Sequence, residues 1–153
     1  KKTPKLFKKK IFRIDESIEK INKKFFYSNK NSTILFIGNM NYLPNFLACK
    51  DFIKNVLPEI KKEIPTIKLR VIGDISSLNK IFLSRYKNVE VLGAKKDLSK
   101  YITRCFCGLA NLEIATGVQG KVLTYMSYGL PVICSKRTSL NFGKNVMIYK
   151  NWL

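Results

Sequence analysis

Residues with the type and spacing for chemistry are concentrated in one stretch, Asn111-Leu-Glu-Ile-Ala-Thr-Gly-Val-Gln-Gly-Lys121. Gly117 and Gly120 sit in a loop that runs into a predicted helix, and Lys121 falls in that helix's first turn. A helix start presents unpaired backbone N–H groups and the positive end of the helix dipole. With an ammonium beside them they form an anion site suited to phosphate. Glycine at 117 and 120 lets the backbone come close to a diphosphate. A glycine turn followed by a solvated lysine has the same residues, so both readings stand at this level. A Walker A loop is excluded: Ala115 occupies the leading glycine position, and Val122 follows the lysine where a magnesium-binding Ser or Thr is required.

Other chemistries are excluded by what the chain lacks. It contains no histidine among 153 residues, which removes imidazole acid–base catalysis, His ligation of zinc and Ser-His-Asp or Cys-His arrangements. Cys49, Cys105, Cys107 and Cys134 match no metal-site spacing and read as reduced, buried thiols of a cytoplasmic protein, with no metal expected. The formal charge of +19, from 29 basic and 10 acidic residues, attracts phosphates, anionic lipid or nucleic acid. A composition rich in Lys, Ile and Asn accounts for that charge equally well. No apolar run approaches the roughly 18 to 20 residues of a membrane span, and the basic start lacks the apolar stretch of a signal peptide.

The elements that must position the loop follow from the hydrophobic pattern. Residues 1–32 are Lys-rich, with Ile14, Ile18, Ile21 and Phe25 at helical spacing over residues 15–26, and read as a basic linker. Lys8, Lys9, Lys10, Arg13 and the cluster from Lys20 to Lys24 suit an anionic membrane surface or a solvated linker alike. The domain proper is expected over residues 33–153, with both chain ends cut. Strands are predicted at 33–37, 68–72, 89–92, 105–112, 131–134 and 146–149, several leaving into a glycine. Helices are predicted at 44–63, 76–86, 98–104 and 119–128. Pro58 should kink or split the first, and Gly129 should cap the last. This alternation implies right-handed βαβ units and a single α/β domain with a Rossmann-like, doubly wound parallel sheet. Ligands of such sheets bind beyond the carboxyl ends of the strands, where the loops 38–44, 73–76, 93–97 and 113–121 should gather.

The run Gly117-Val-Gln-Gly-Lys-Val-Leu-Thr-Tyr-Met-Ser-Tyr-Gly-Leu-Pro-Val-Ile133 resembles the donor-site segment of group 1 (family 4) glycosyltransferases of the GT-B fold. The likeness is strongest to a bacterial polysaccharide-building subset with a Gly-x-x-x-Lys-Val-Leu pattern. Phe36 to Asn45, Val56 to Ile60 with Pro65, Leu69 to Gly73, and Val89 to Gly93 followed by Asp97 agree in the same order. The resemblance implies the C-terminal half of a GT-B enzyme, binding a nucleotide-diphosphate sugar without a metal or other cofactor, opposite an N-terminal acceptor domain. It places Gly38, Asn39 and Asn41 at the donor phosphates and Ala94, Lys95 and Lys96 around the base. Gly117 and Lys121, flanked by Gln119 and Gly120, then lie at the diphosphate and sugar. Many members carry two glutamates eight positions apart where this chain has Thr116 and Thr124, so the ribose contact would be a neutral hydroxyl. The expected activity is glycosyl transfer in cell-envelope polysaccharide synthesis, with no nucleic-acid partner. The alternative is a degenerate nucleotide-binding or nucleic-acid-binding module.

Overall fold

A computed structural model describes residues 32–113 and 118–149. Six parallel strands form one sheet in the order β3-β2-β1-β4-β5-β6. They are β1 (Thr33–Ile37), β2 (Lys68–Ile72), β3 (Val89–Gly93), β4 (Cys107–Ala110), β5 (Val132–Cys134) and β6 (Met147–Ile148). The helices are α1 (Leu43–Asp51), α2 (Leu57–Glu63), α3 (Ser77–Ser84), α4 (Ser99–Ile102), α5 (Gly120–Ser127) and α6 (Lys136–Ser139).

β1 is apolar on both faces because both are covered. Ile34 and Phe36 pack with Cys49, Phe52, Ile53, Val56 and Leu57 on one side. Leu35 joins Ile102, Val122, Tyr125 and Val132 on the other. The helix predicted over 44–63 exists, and it is divided just ahead of Pro58. Phe52–Val56 forms a π-helical turn between α1 and α2. There the Leu57 amide reaches back five residues to the Phe52 carbonyl, so the wider turn falls directly before the residue that has no N–H to give. β4 and α4 are shorter than their sequence patterns. The Cys105 amide turns back to Ile102 O, and Asn111 leaves the sheet to donate Nδ2 to Ala48 O at 2.8 Å. Gly129, at φ +71, closes α5 with the Leu130 amide on Tyr125 O, as its sequence predicts.

The strand order reverses between β1 and β4, the switch point where doubly wound sheets bind ligands. β1 stays paired with β2 through Ile37–Ile72, but pairs with β4 only at Ile34–Cys107 and Leu35–Gly108. The Tyr125 hydroxyl fills the resulting parting. It accepts from Ile37 N at 2.7 Å and lies 3.2 Å from both Leu35 O and Leu109 O, to one of which it donates. The ring fits because residue 108 is glycine: a Cβ there would meet it at 2.4 Å.

Candidate functional site

Strands β1, β2 and β3 each reach a glycine at the carboxyl edge, and the three are tied side by side. The Gly38 amide donates to Ile72 O at 2.9 Å and the Gly73 amide to Gly93 O at 3.1 Å. Gly73 adopts φ +145, and a Cβ on it would lie 2.0 Å from the Gly38 carbonyl oxygen, so a side chain is excluded by conformation and by space.

The loop after β1 is built by its own asparagines. Asn39 Oδ1 accepts from the Asn41 amide, Asn41 Oδ1 from the Ser76 amide, and Asn79 Nδ2 donates to Met40 O. Met40 is fully buried beneath the loop, with its amide on Asp74 O. The next helix is capped by Ser76, whose hydroxyl accepts from the Asn79 amide. Asn39 and Asn41 thus stand at the carboxyl edge of the sheet, and their side-chain oxygens already shape the loop.

Lys121 crosses from the head of α5 to this loop. Its Nζ donates to Asn45 Oδ1 at 2.7 Å and sits 4.2 Å from the centroid of the Phe36 ring. Asn45 is itself buried and donates Nδ2 to Asn39 O at 3.0 Å. A methyl group placed on Gly38 would lie 3.2 Å from the ammonium nitrogen and 2.9 Å from Asn45 Nδ2. Burial pulls the Lys121 pKa down to about 7, against a smaller upward pull from Cys49. Burial pushes the Cys49 thiol up to about 12, so it stays neutral beside the amine. The ammonium therefore faces the switch point held by one neutral amide oxygen and one aromatic face. Sequence reasoning missed Asn45, although the Pro44-Asn45 pair stood inside a quoted segment.

At the start of α5, Gln119 occupies the cap position without a side-chain cap bond, and its carbonyl accepts from the Val122 and Leu123 amides. As at any helix start, the first-turn amides of α5, from Gly120 and Lys121 onward, point along the helix axis away from its body. Thr124 donates its hydroxyl to Gly120 O at 2.9 Å, leaving its lone pairs as acceptors. Ala94, Lys95 and Lys96 are exposed beyond β3, with Lys95 Nζ 5.9 Å from the Tyr101 ring centroid. Thr116 and Gly117 lie outside the described residues. The four cysteines are buried and none is in a disulfide. Among the described residues no group of His, Cys, Asp or Glu is placed to hold a metal ion, and no helix is long and apolar enough to cross a membrane.

Comparison with known proteins follows the same geometry. The family model described as glycosyl transferases group 1 matches residues 31–150. No curated protein sequence matches. Among solved structures, TarM superposes with a TM-score of 0.66 at 15% identity, over 88% of this chain and 28% of that one. The pneumococcal O-GlcNAc transferase GtfA, in complex with UDP and GlcNAc, gives 0.59 at 16% identity over 90% of this chain and 27% of that one. Anabaena Alr3699/HepE, in complex with UDP and glucose, gives 0.56 at 13% identity over 77% and 34%. At such identities the likeness is one of fold, and this chain spans about a third or less of each of those structures.

Proposed function

The chain belongs to the group 1 glycosyl transferases, and from that membership we propose that it is the nucleotide-sugar-binding half of a GT-B enzyme. In this reading it transfers a sugar to a glycan or lipid-linked acceptor of cell-envelope polysaccharide. Residues 1–32 serve as a basic linker, the acceptor is held by a second, N-terminal domain, and the enzyme works in the cytoplasm, at the inner face of the membrane. The acceptor class rests on the likeness of Gly117 to Ile133 to the polysaccharide-building subset.

The observation that carries the proposal is the approach of the Lys121 ammonium to Gly38 at the β1–β4 switch point, with helix α5 starting at Gly120. A nucleotide sugar breaks the bond between its anomeric carbon and the terminal phosphate oxygen, and the electron pair leaves with the nucleoside diphosphate. The charge that develops there is stabilised by donors already fixed in place: two amides at a helix start and an ammonium. The absent side chain of Gly38 leaves the space that a phosphate needs next to that ammonium. Thr124, one turn into α5, is within reach of a ribose hydroxyl as an acceptor.

UDP is the first probe, because the HepE and GtfA structures contain it. Titration of the isotope-labelled chain is expected to shift the amides of Gly38, Gly120 and Lys121 before any others. Binding that leaves those three unmoved, or no binding of UDP or GDP at all, refutes the assignment.

A further inference from the structure

The amino ends of β1, β2 and β3, at the edge of the sheet remote from Lys121, enclose a second polar space. A cavity of about 330 Å³ is lined there by residues that include Ser32, Thr33, Lys68, Arg70, Lys87 and Glu90. A neighbouring cavity of about 360 Å³ shares Lys87 and Asn88 with it and brings Lys61 and Arg85 to the rim.

The balance of donors and acceptors in the first cavity is lopsided. Its one carboxylate, Glu90, is already taken by Arg70, whose Nε lies 2.7 Å from Oε2 while Nη1 donates to Tyr101 O at 3.1 Å. Asn88 has spent its Nδ2 on Ile67 O at 2.7 Å. What remains is the ammonium groups of Lys68 and Lys87 and the hydroxyls of Ser32 and Thr33, none with an acceptor among the described residues. Lys61 and Arg85 likewise meet no carboxylate there. Like charges gathered on one wall repel unless an anion lies between them. A volume near 330 Å³ equals about ten waters at roughly 30 Å³ each, enough for a phosphate and the group it esterifies.

We propose that this basal cavity is a second, separate phosphate site. It takes the phosphate of a phosphomonoester or phosphodiester, carried by a free molecule or by an anionic lipid headgroup. Lys68 and Lys87 supply the charge, and the Ser32 and Thr33 hydroxyls supply directional hydrogen bonds. Arg70 stiffens the wall by neutralising Glu90. Ser32, at the start of the described residues, lines the cavity. The five residues of β1 separate this edge from the Lys121 end by roughly 17 Å, so the two sites fill independently.

The test compares the full chain with Lys68→Gln/Lys87→Gln, using inorganic phosphate in one arm and vesicles of phosphatidylglycerol in phosphatidylcholine in the other. Neither substitution touches the Lys121 end, so UDP titration of both proteins checks that the fold is intact. If the cavity binds phosphate, inorganic phosphate shifts the amides of Ser32, Lys68 and Lys87 where chloride of equal ionic strength does not. A headgroup source shows as flotation with the anionic vesicles and not with phosphatidylcholine alone. Each lysine contributes about fivefold at an anionic surface, so the double variant should lose roughly 25-fold in whichever arm responds. The linker is the same in both proteins and cancels. Equal binding by the two proteins overturns the proposal, as does binding in neither arm. A variant-sensitive preference for an RNA oligomer over both probes overturns it too.

Discussion

The most exacting consequence of the Lys121 environment is a pH dependence of nucleotide binding. In the free chain the amine titrates at about 7, against an ordinary value of 10.5. A diphosphate placed against it favours the ammonium and returns the pKa toward that ordinary value. Free Lys121 is half charged at pH 7 and about one per cent charged at pH 9. UDP must then be bound together with a proton, and its affinity should fall about 50-fold between those two pH values, equivalent to about 2.3 kcal/mol. The nucleotide's own second phosphate ionisation, near pH 6, is largely over by then and adds little. Calorimetry in buffers of different ionisation enthalpy should show uptake of close to one proton per UDP at pH 8. Lys121→Met should bind UDP more weakly at pH 7 and show no slope from pH 7 to pH 9. A flat profile in the unmodified chain, or a Met variant that binds as tightly, would refute the placement of the diphosphate at this amine.

Further consequences concern stability and the loop. Because burial holds Lys121 below its unfolded value, the folded chain binds fewer protons than the unfolded chain between about pH 7 and 10.5. Stability should therefore rise with pH across that window, by about 2 kcal/mol from pH 7 to pH 9, and Lys121→Met should abolish the rise in urea titrations. Tyr125→Phe removes the hydroxyl of a fully buried side chain, leaves the partly buried Ile37 amide without its acceptor and should cost about 1–3 kcal/mol by the same measurement. Gly73→Ala forces a side chain onto φ +145 and against the Gly38 carbonyl, and should cost at least about 3 kcal/mol, seen as a lowered melting temperature and loss of UDP binding together. Asn45→Asp places a carboxylate at the Lys121 amine, raising its pKa, so the UDP affinity profile should move to higher pH and be weaker throughout at low salt.

What the amino-acid sequence determined by itself is whatever short stretches of chain decide locally. The apolar run of β1 ending at Gly38, the long helix over 44–63 and the Gly129 stop all depend on neighbours a few positions away. The α/β alternation, the parallel sheet and the Gly120-Lys121 helix start were legible for that reason. Tertiary structure alone decided the partners of those residues. Lys121 finds its oxygen on Asn45, 76 positions earlier, and Tyr125 finds the Ile37 amide 88 positions earlier. Arg70 turns Glu90 into a neutral wall, a pairing that exists only because β2 and β3 align Arg70 with Glu90 in register. A lysine's type announces a charge. Whether that charge is held near neutrality, and what it faces, depends on how much water the packed chain leaves around it, and no local pattern carries that information.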